Sequence, residues 1–142
     1  MLLAQDGVDV NQANKDGSTP LLRAIQKCHA EVVKMLLAQD GVDVNQAKKD
    51  GWTPLLFAAR GGHAEVVKML LAQDGVDVNQ TSYDGSTLLL LAIQKCHAEV
   101  VKMLLAQDGV DVNQADKDGW TPLLLAAREG HAEVVKLSLI HI

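Results

Sequence analysis

The stretch His-Ala-Glu-Val-Val-Lys-Met-Leu-Leu-Ala-Gln-Asp-Gly-Val-Asp-Val-Asn-Gln occupies residues 29–46 and decides how the rest of the sequence is interpreted. The same residues recur without change at 63–80 and 97–114, so successive copies begin 34 residues apart. Their second half opens the chain at 1–12, and their first half returns at 131–136. A fixed period of this length is typical of a repeat array, in which each unit stacks only on its neighbours.

The period divides the chain into consecutive units. We predict one array over residues 1–136, made of a half unit 1–12, unit one 13–46, unit two 47–80, unit three 81–114 and a truncated unit four 115–136. Units one and three share Ala-Ile-Gln-Lys-Cys-His, whereas units two and four share a Trp and Ala-Ala-Arg-x-Gly-His. The true period is therefore 68, a two-unit block copied once.

Residues 137–142 break the pattern, and we interpret them as a sequence artefact or a truncation scar. The alternative is a diverged native helix end, since Leu137 and Leu139 keep two apolar sites. Neither end has the polar capping unit that a finished array needs, which indicates a window from a longer array.

Composition limits the classes of protein that this chain can belong to. Hydrophobic residues make up 48% but aromatic residues only 3%, so the core must be aliphatic, which favours closely packed helices over a β-barrel or sandwich. The net charge of −5 argues against a nucleic-acid surface. No apolar run reaches the length of a membrane span, and the first residues lack the pattern of a signal peptide.

The two cysteines, Cys28 and Cys96, occupy the same place in units one and three. If units stack at a helix-packing distance of roughly 8–10 Å, the two sulfurs lie too far apart for a disulfide. We predict free thiols, buried or half-buried, in a reducing intracellular compartment, the cytoplasm.

Each unit has the same internal plan. An Asp-Gly turn comes first, and then Thr-Pro begins a first helix, because Thr caps free amides and Pro suits the first helical position. Gly61-Gly62 or Gly130 should end that helix, and a second helix should start after the histidine and end near Gln39 or its equivalents. Val42-Asp43-Val44-Asn45 alternates in polarity, which predicts a short extended arm.

These pieces resemble the ankyrin repeat. The matching motifs are Asp-Gly-x-Thr-Pro-Leu, Leu-x-Ala-Ala, Gly-His-x-Glu-Val-Val-Lys-x-Leu-Leu and Gly-x-Asp-Val-Asn, which cover about 136 of the 142 residues. The resemblance implies an all-α solenoid of stacked helix-turn-helix units with β-hairpin-like loops. It also implies protein binding on the concave side, through loop tips and first helices, without catalysis, cofactor or metal.

The sequence departs from the family at two places in the repeat. Leu22, Leu56, Leu90 and Leu124 stand where the family usually has His, so we expect looser loops. Cys28 and Cys96 stand where Gly is expected, and a positive φ there would cost about 1 kcal/mol each. Unit three also has Leu88 in place of Pro, so units one and three should be the weaker pair.

The candidate chemical motifs do not carry an activity. His-x-Glu occurs in every unit, without the further ligands of a zinc deaminase or zincin, which is typical of scaffold residues. The Asp-rich stretch around Asp116 and Asp118 lacks the first and twelfth ligands of a calcium loop. We predict no enzyme, no cofactor and no metal site.

The residues between the invariant stretches are the candidates for partner binding. Phe57 is predicted to be core, and Arg23, at the same place in unit one, indicates a partly open inner face. Aromatic residues at the loop tips are typical of binding hot spots, although each Trp could instead pack over the neighbouring loop. The predicted contact residues are Trp52, Tyr83, Trp120, Lys15, Lys49, Lys117 and Asp116 at the tips, and Gln26, Lys27, Arg60, Gln94, Lys95, Arg128 and Glu129 at the first-helix ends.

Because basic groups collect on this face, the predicted partner is another protein with an acidic, partly apolar surface. Two alternatives remain. The chain could be a structural array whose uncapped ends, Lys136 of one copy against Met1 of another, continue the stack head-to-tail. It could also be the targeting arm of a larger enzyme.

Overall fold

The computed structural model describes residues 7–140, and over that range the chain is helical, without a named β-strand. Its helices come in four pairs. Their bounds are α1 Pro20–Gln26, α2 Ala30–Leu37, α3 Pro54–Gly61, α4 Ala64–Leu71, α5 Leu88–Gln94, α6 Ala98–Leu105, α7 Pro122–Glu129 and α8 Ala132–Ile140. None of these helices is long and apolar enough to cross a membrane. The helix-turn-helix pairs predicted from the repeat are confirmed.

Each first helix begins directly after a threonine. Thr19 Oγ1 accepts a hydrogen bond from the N–H of Leu22 at 3.2 Å, and the threonines of the other units accept the same bond. In unit three, Thr87 accepts from Leu90 at 3.0 Å although Leu88 replaces the proline. The threonine cap therefore begins α5 at the expected residue without help from a fixed proline φ.

The first helices end on a left-handed residue. Gly62 and Gly130 cap α3 and α7 with φ angles of 69° and 70°. Cys28 and Cys96 have the same place in the repeat and φ angles of 56° and 60°. The predicted positive φ is confirmed, and each cysteine carries the strain that glycine avoids.

The helices form two layers. The first helices α1, α3, α5 and α7 pack side by side, the second helices α2, α4, α6 and α8 do the same, and each pair packs together within its unit. Between the layers lies an aliphatic core in which Leu22, Leu56 and Leu90 are buried. These leucines replace the family's histidine and fill its place with apolar packing. Phe57 is buried beside them, as predicted.

The segment after each second helix differs from the sequence expectation. Helix α2 ends at Leu37, slightly before the predicted end. The extended arm predicted for 42–45 is wrong, because the chain turns at Val44 and Asn45. The Asp43 carboxylate accepts the N–H of Asn45 at 3.0 Å and bends the chain, while Val44 points into the core. The alternation thus marks a buried turn rather than a strand.

A ladder of asparagines joins successive units across these turns, and the sequence analysis missed it. Asn11 Nδ2 donates to the Gly41 carbonyl at 2.7 Å, and its Oδ1 accepts the N–H of Asp43 at 2.8 Å. Asn79 makes the same two bonds to Gly109 and Asp111, at 2.7 and 2.9 Å. This side chain bonds the next unit's backbone, which gives the repeated asparagine a structural role beyond duplication.

Helix α8 continues past Lys136, the last residue of the predicted array, as far as Ile140. Ser138 takes the place of Leu36 and its equivalents in the earlier units and is buried. Its hydroxyl has no hydrogen-bond partner within the described part of the chain. Leu139 and Ile140 are 56% and 67% exposed, since no further unit covers them in residues 7–140.

Candidate functional site: the first-helix face

The Asp-Gly tips form a row directly before the first helices. In unit two the N–H of Lys48 bonds the carbonyl of Trp52, and the N–H of Gly51 bonds the carbonyl of Lys48, both at 2.9 Å. Neighbouring tips also touch, since the N–H of Lys49 donates to the carbonyl of Asp16 at 3.1 Å. The hairpin-like loops are confirmed, and together with the first helices they make one surface, here called the first-helix face.

Trp52 packs on side chains of its own unit. Its ring centroid lies 5.2 Å from that of Phe57, and it is partly buried. The guanidinium carbon of Arg60 lies 4.5 Å from the Trp52 centroid and 5.1 Å from that of Phe57. Such cation–π contacts hold a flexible arginine in one orientation. Trp52 therefore acts as a platform that presents the exposed Arg60.

Trp120 supports an arginine in the same way, but that arginine is partly neutralised. The guanidinium carbon of Arg128 lies 4.3 Å from the Trp120 centroid. The Nη2 of Arg128 also lies 2.8 Å from a carboxylate oxygen of Glu129. Unit two has Gly61 at the place of Glu129, so its arginine has no such neighbour.

Tyr83 is the aromatic residue that the structure exposes most, at 68%. Its ring lies over the tip of unit two, where a Cβ on Gly51 would be 2.6 Å from Tyr83 Cε1. The Tyr83 hydroxyl also lies 3.5 Å from the Lys49 carbonyl. Tyr83 thus covers a neighbouring tip, the role that the sequence analysis considered for the tryptophans.

A cationic cleft of about 320 Å³ lies on the first-helix face between the first helices of units one and two. Its lining contains three basic side chains and no carboxylate. The lining residues are Arg23, Gln26, Lys27, Phe57, Arg60, Gly61 and His63. The side chains of Arg23, Lys27 and Arg60 are exposed, as an open inner face requires.

His63 is a member of this cleft that the sequence analysis missed. Burial, and next the charge of His97, lower the pKa of His63 below its ordinary value of 6.5. The sequence offered no way to single it out, because a histidine occupies the same place in all four units.

The tip residues divide into exposed lysines and structural acids. Lys15, Lys49 and Lys117 are exposed, as are the predicted helix-end residues Gln94 and Lys95. The Oδ1 of Asp116 instead accepts the N–H groups of Asp118 and Trp120, at 2.9 and 3.0 Å, and so folds its tip.

Two aspartates of the Asp-Gly pairs offset the positive charge of one tip lysine. Lys48 Nζ lies 3.9 Å from Asp16 and 3.8 Å from Asp50. In unit three, the Ser82 hydroxyl and the Ser86 amide hydrogen-bond the Asp84 carboxylate and lower its pKa. The cleft, by contrast, has no carboxylate in its lining.

The predicted free thiols are confirmed, since neither cysteine forms a disulfide. Their predicted burial is wrong, because Cys28 and Cys96 are both exposed at the ends of the first helices. A left-handed residue beyond a helix end points its side chain out of the core.

Between residues 7 and 140, no group of three or more His, Cys, Asp or Glu side chains is placed to hold a metal ion.

Comparison with known proteins agrees with this architecture. The sequence matches ankyrin repeats (3 copies) over residues 1–82 and 75–141. The chain therefore belongs to the ankyrin-repeat family, which confirms the resemblance and the all-α solenoid class. Ankyrin repeats are generally protein–protein interaction modules and are typically non-catalytic. No curated protein matches the chain significantly.

Proposed function

We propose that this chain binds another protein through the first-helix face and performs no catalysis of its own. The observation that carries the proposal is the cationic cleft, where Arg23, Lys27 and Arg60 converge without a carboxylate in the lining. Arg60 is held on Trp52 and Phe57, which reduces the entropy that it loses on binding. The other tip and helix-end residues predicted from the sequence supply the rest of the contact surface along the first-helix face.

The partner has an acidic and partly apolar surface. Guanidinium groups bind carboxylates through paired hydrogen bonds, and Arg60 presents its group from an aromatic platform. Tyr83, the most exposed aromatic residue on the face, supplies an apolar contact. Because the whole chain has a net charge of −5, attraction of an acidic partner depends on this local surplus. The two free thiols fit an intracellular, reducing compartment such as the cytoplasm.

The test compares charge reversals on the two layers. Arg60→Glu and Lys27→Glu change the cleft, whereas Lys68→Glu and Lys102→Glu change exposed lysines of the second helices by the same charge. Each immobilised variant is used to capture proteins from a cell lysate, and circular dichroism checks its helicity.

We expect the cleft variants to lose specific bound proteins that wild type and the second-helix variants retain. If both pairs of variants capture the same proteins as wild type, the proposed face is wrong.

A second candidate function is head-to-tail self-association. A groove of about 650 Å³ at the end of the array is lined by α7 and α8 residues that include Ala127, Val135, Leu139 and Ile140. At the internal junction, the equivalent residues are Leu71 of α4 and the following Ala72, which line a groove with Met103 of α6. The proposed contact joins Lys136 of one copy to Met1 of another, so the matching occupant of the groove is the start of a second copy.

Light scattering over a concentration series tests this second candidate. Stacking predicts a mass that rises with concentration and returns to the monomer value in an Ile140→Lys variant. A constant monomer mass for wild type would rule self-association out.

A further inference from the structure

In units two and three, the left-handed residue at the end of the first helix lies close to a histidine of the following unit. A Cβ on Gly62 would lie 2.4 Å from His97 Nδ1. At the same place in the next unit, Cys96 Sγ lies 3.3 Å from His131 Nδ1. The array thus brings a thiol and an imidazole together from two units, at a spacing of 35 residues that no local motif encodes.

Cys28 is a natural comparison for Cys96. Both stand in the sequence Ala-Ile-Gln-Lys-Cys-His-Ala-Glu, both are exposed, and their φ angles are 56° and 60°. Among the described contacts, however, Cys28 has no histidine within hydrogen-bond distance of its sulfur. The two thiols therefore differ in their surroundings and not in their local sequence.

The residue two places before each histidine explains the difference. In unit two that residue is Gly61, and the His63 ring lies over it, where a Cβ would be 2.4 Å from His63 Nε2. In units three and four the residue has a Cβ, being Lys95 and Glu129. That Cβ excludes the ring from the same position, and the ring lies against the preceding unit instead. His97 accordingly lies over Gly62 and reaches the Arg60 carbonyl at 3.0 Å.

We propose that Cys96 and His131 form an activated thiol that exchanges with low-molecular-weight disulfides such as oxidised glutathione. The neutral imidazole accepts the thiol proton at Nδ1, and the thiolate then attacks one sulfur of the disulfide. A new S–S bond joins Cys96 to one half of the reagent while the old S–S bond breaks. The other half leaves as a thiolate, which takes up the proton, so the exchange needs no further oxidant.

The surroundings of Cys96 favour this reaction. The thiolate is the nucleophile in disulfide exchange, and Cys96 is exposed to a dissolved disulfide with the His131 imidazole 3.3 Å from its sulfur as proton acceptor. Cys28 lies at the equivalent junction but its partner ring is held over Gly61.

The experiment uses two single-cysteine variants, Cys28→Ser and Cys96→Ser. Single cysteines are needed because trypsin would release the same peptide, Cys-His-Ala-Glu-Val-Val-Lys, from both sites. Each variant is incubated with oxidised glutathione, and intact-mass spectrometry follows the mixed disulfide. We expect the variant that keeps Cys96 to react faster by on the order of tenfold. Equal rates, or a faster Cys28, would overturn the proposal.

Two controls test whether the difference in reaction rate comes from the folded surroundings of each cysteine or from its local sequence. In concentrated urea the variants should react at equal rates, since their local sequences are identical, and a difference that persists there would overturn the structural explanation. Replacing His131 by Ala beside Cys28→Ser should bring the Cys96 rate down to that of Cys28, with helicity checked by circular dichroism. An unchanged rate would show that the imidazole plays no part.

A gain of reactivity gives the sharpest test. Gly61→Glu, introduced beside Cys96→Ser, places a Cβ under His63 and should turn its ring toward Cys28. The Cys28 rate should then rise toward that of Cys96. General unfolding cannot account for such a rise if the two cysteines still react at equal rates in urea. A Cys28 rate that does not rise would refute the role assigned to Gly61 and Glu129.

Discussion

Units two and four have nearly the same first helix but different surroundings. Both begin with Trp-Thr-Pro-Leu-Leu, both end on a left-handed glycine, and both place an arginine over the tryptophan. Yet Leu56 is completely buried, whereas its equivalent Leu124 is 53% exposed. Local sequence is thus enough to form and cap the helix. Burial depends on whether a following unit packs against it, and within residues 7–140 units one to three have such a unit whereas unit four does not.

Charge separates the two units as well. Arg60 opens onto a cleft without carboxylates, while Arg128 is paired with Glu129. One of the sequence differences is Gly61 against Glu129: Glu129 pairs with Arg128 in unit four, whereas in unit two the His63 ring lies over Gly61. The duplicated blocks have become chemically distinct through a few substitutions at the helix ends.

The largest effect should come from the leucines that differ in burial. Leu56→Ala removes a fully buried side chain and should lower the free energy of unfolding by about 2–5 kcal/mol. Leu124→Ala should cost less than about 1 kcal/mol, since half of that side chain already contacts solvent. Urea unfolding followed by circular dichroism measures both. Equal losses would mean that unit four is covered as well as unit two.

At Ser138, enlarging the side chain should increase the stability of unit four. Ser138→Leu removes a buried hydroxyl without a described partner and restores the apolar residue of the other units. We expect a gain of about 1–2 kcal/mol in the free energy of unfolding. The matched control, Leu139→Ser, changes an exposed site and should have little effect. A loss of stability in Ser138→Leu would show that unit four lacks the space that Leu70 occupies in unit two.

The left-handed caps should differ in their tolerance of a side chain. Gly130→Ala meets nothing within 4 Å and should cost about 1 kcal/mol, which is the backbone strain alone. Gly62→Ala should cost more, because its Cβ would also displace the ring of His97. Thermal melting compares the two variants, and a smaller loss at Gly62 would contradict the contact.

Replacing the left-handed cysteines by glycine tests the same backbone strain in the opposite direction. Replacing Cys28 and Cys96 by Gly should raise the melting temperature, since both have a positive φ. An unchanged or lower melting temperature would refute the strain assigned to the two cysteines.

The smallest effect concerns pH. The pKa of His63 is lowered in the folded chain, so below its ordinary value of 6.5 the unfolded chain binds more protons at this site. His63 should therefore destabilise the fold as the pH falls through that value. We expect His63→Gln to reduce the loss of melting temperature between pH about 7.5 and about 5.5. His29→Gln is the control. If it reduces the loss of melting temperature equally, the pH dependence does not come from His63.

Much of the fold could be predicted because its signals are local and repeated. The threonine caps, the helix starts and the left-handed positions of Cys28 and Cys96 depend on residues within one turn of each other. The asparagine ladder could not be predicted, since Asn11 bonds a residue 30 positions away. The extended arm was wrong because alternation cannot distinguish a strand from a turn with one buried face.

The candidate site was predicted as a list of residues but not as an arrangement. Sequence placed the tryptophans at the tips, and the structure turns Trp52 inward as a support for Arg60. It grouped Asp116 with the contact residues, although its carboxylate folds its own tip. These outcomes depend on side-chain directions across several elements, which residue spacing does not report.

The sequence by itself determined the period, the helix pairs, their caps and membership of a stacked helical class, because each follows from propensities and spacings within one unit. Only the tertiary structure decided which copies of an identical motif are covered, charged or reactive. Leu56 and Leu124, or Cys28 and Cys96, have matching local sequences and different neighbours. The physical reason is that burial and contacts to histidine arise between units, and the residues of the neighbouring unit differ from one copy of the motif to the next.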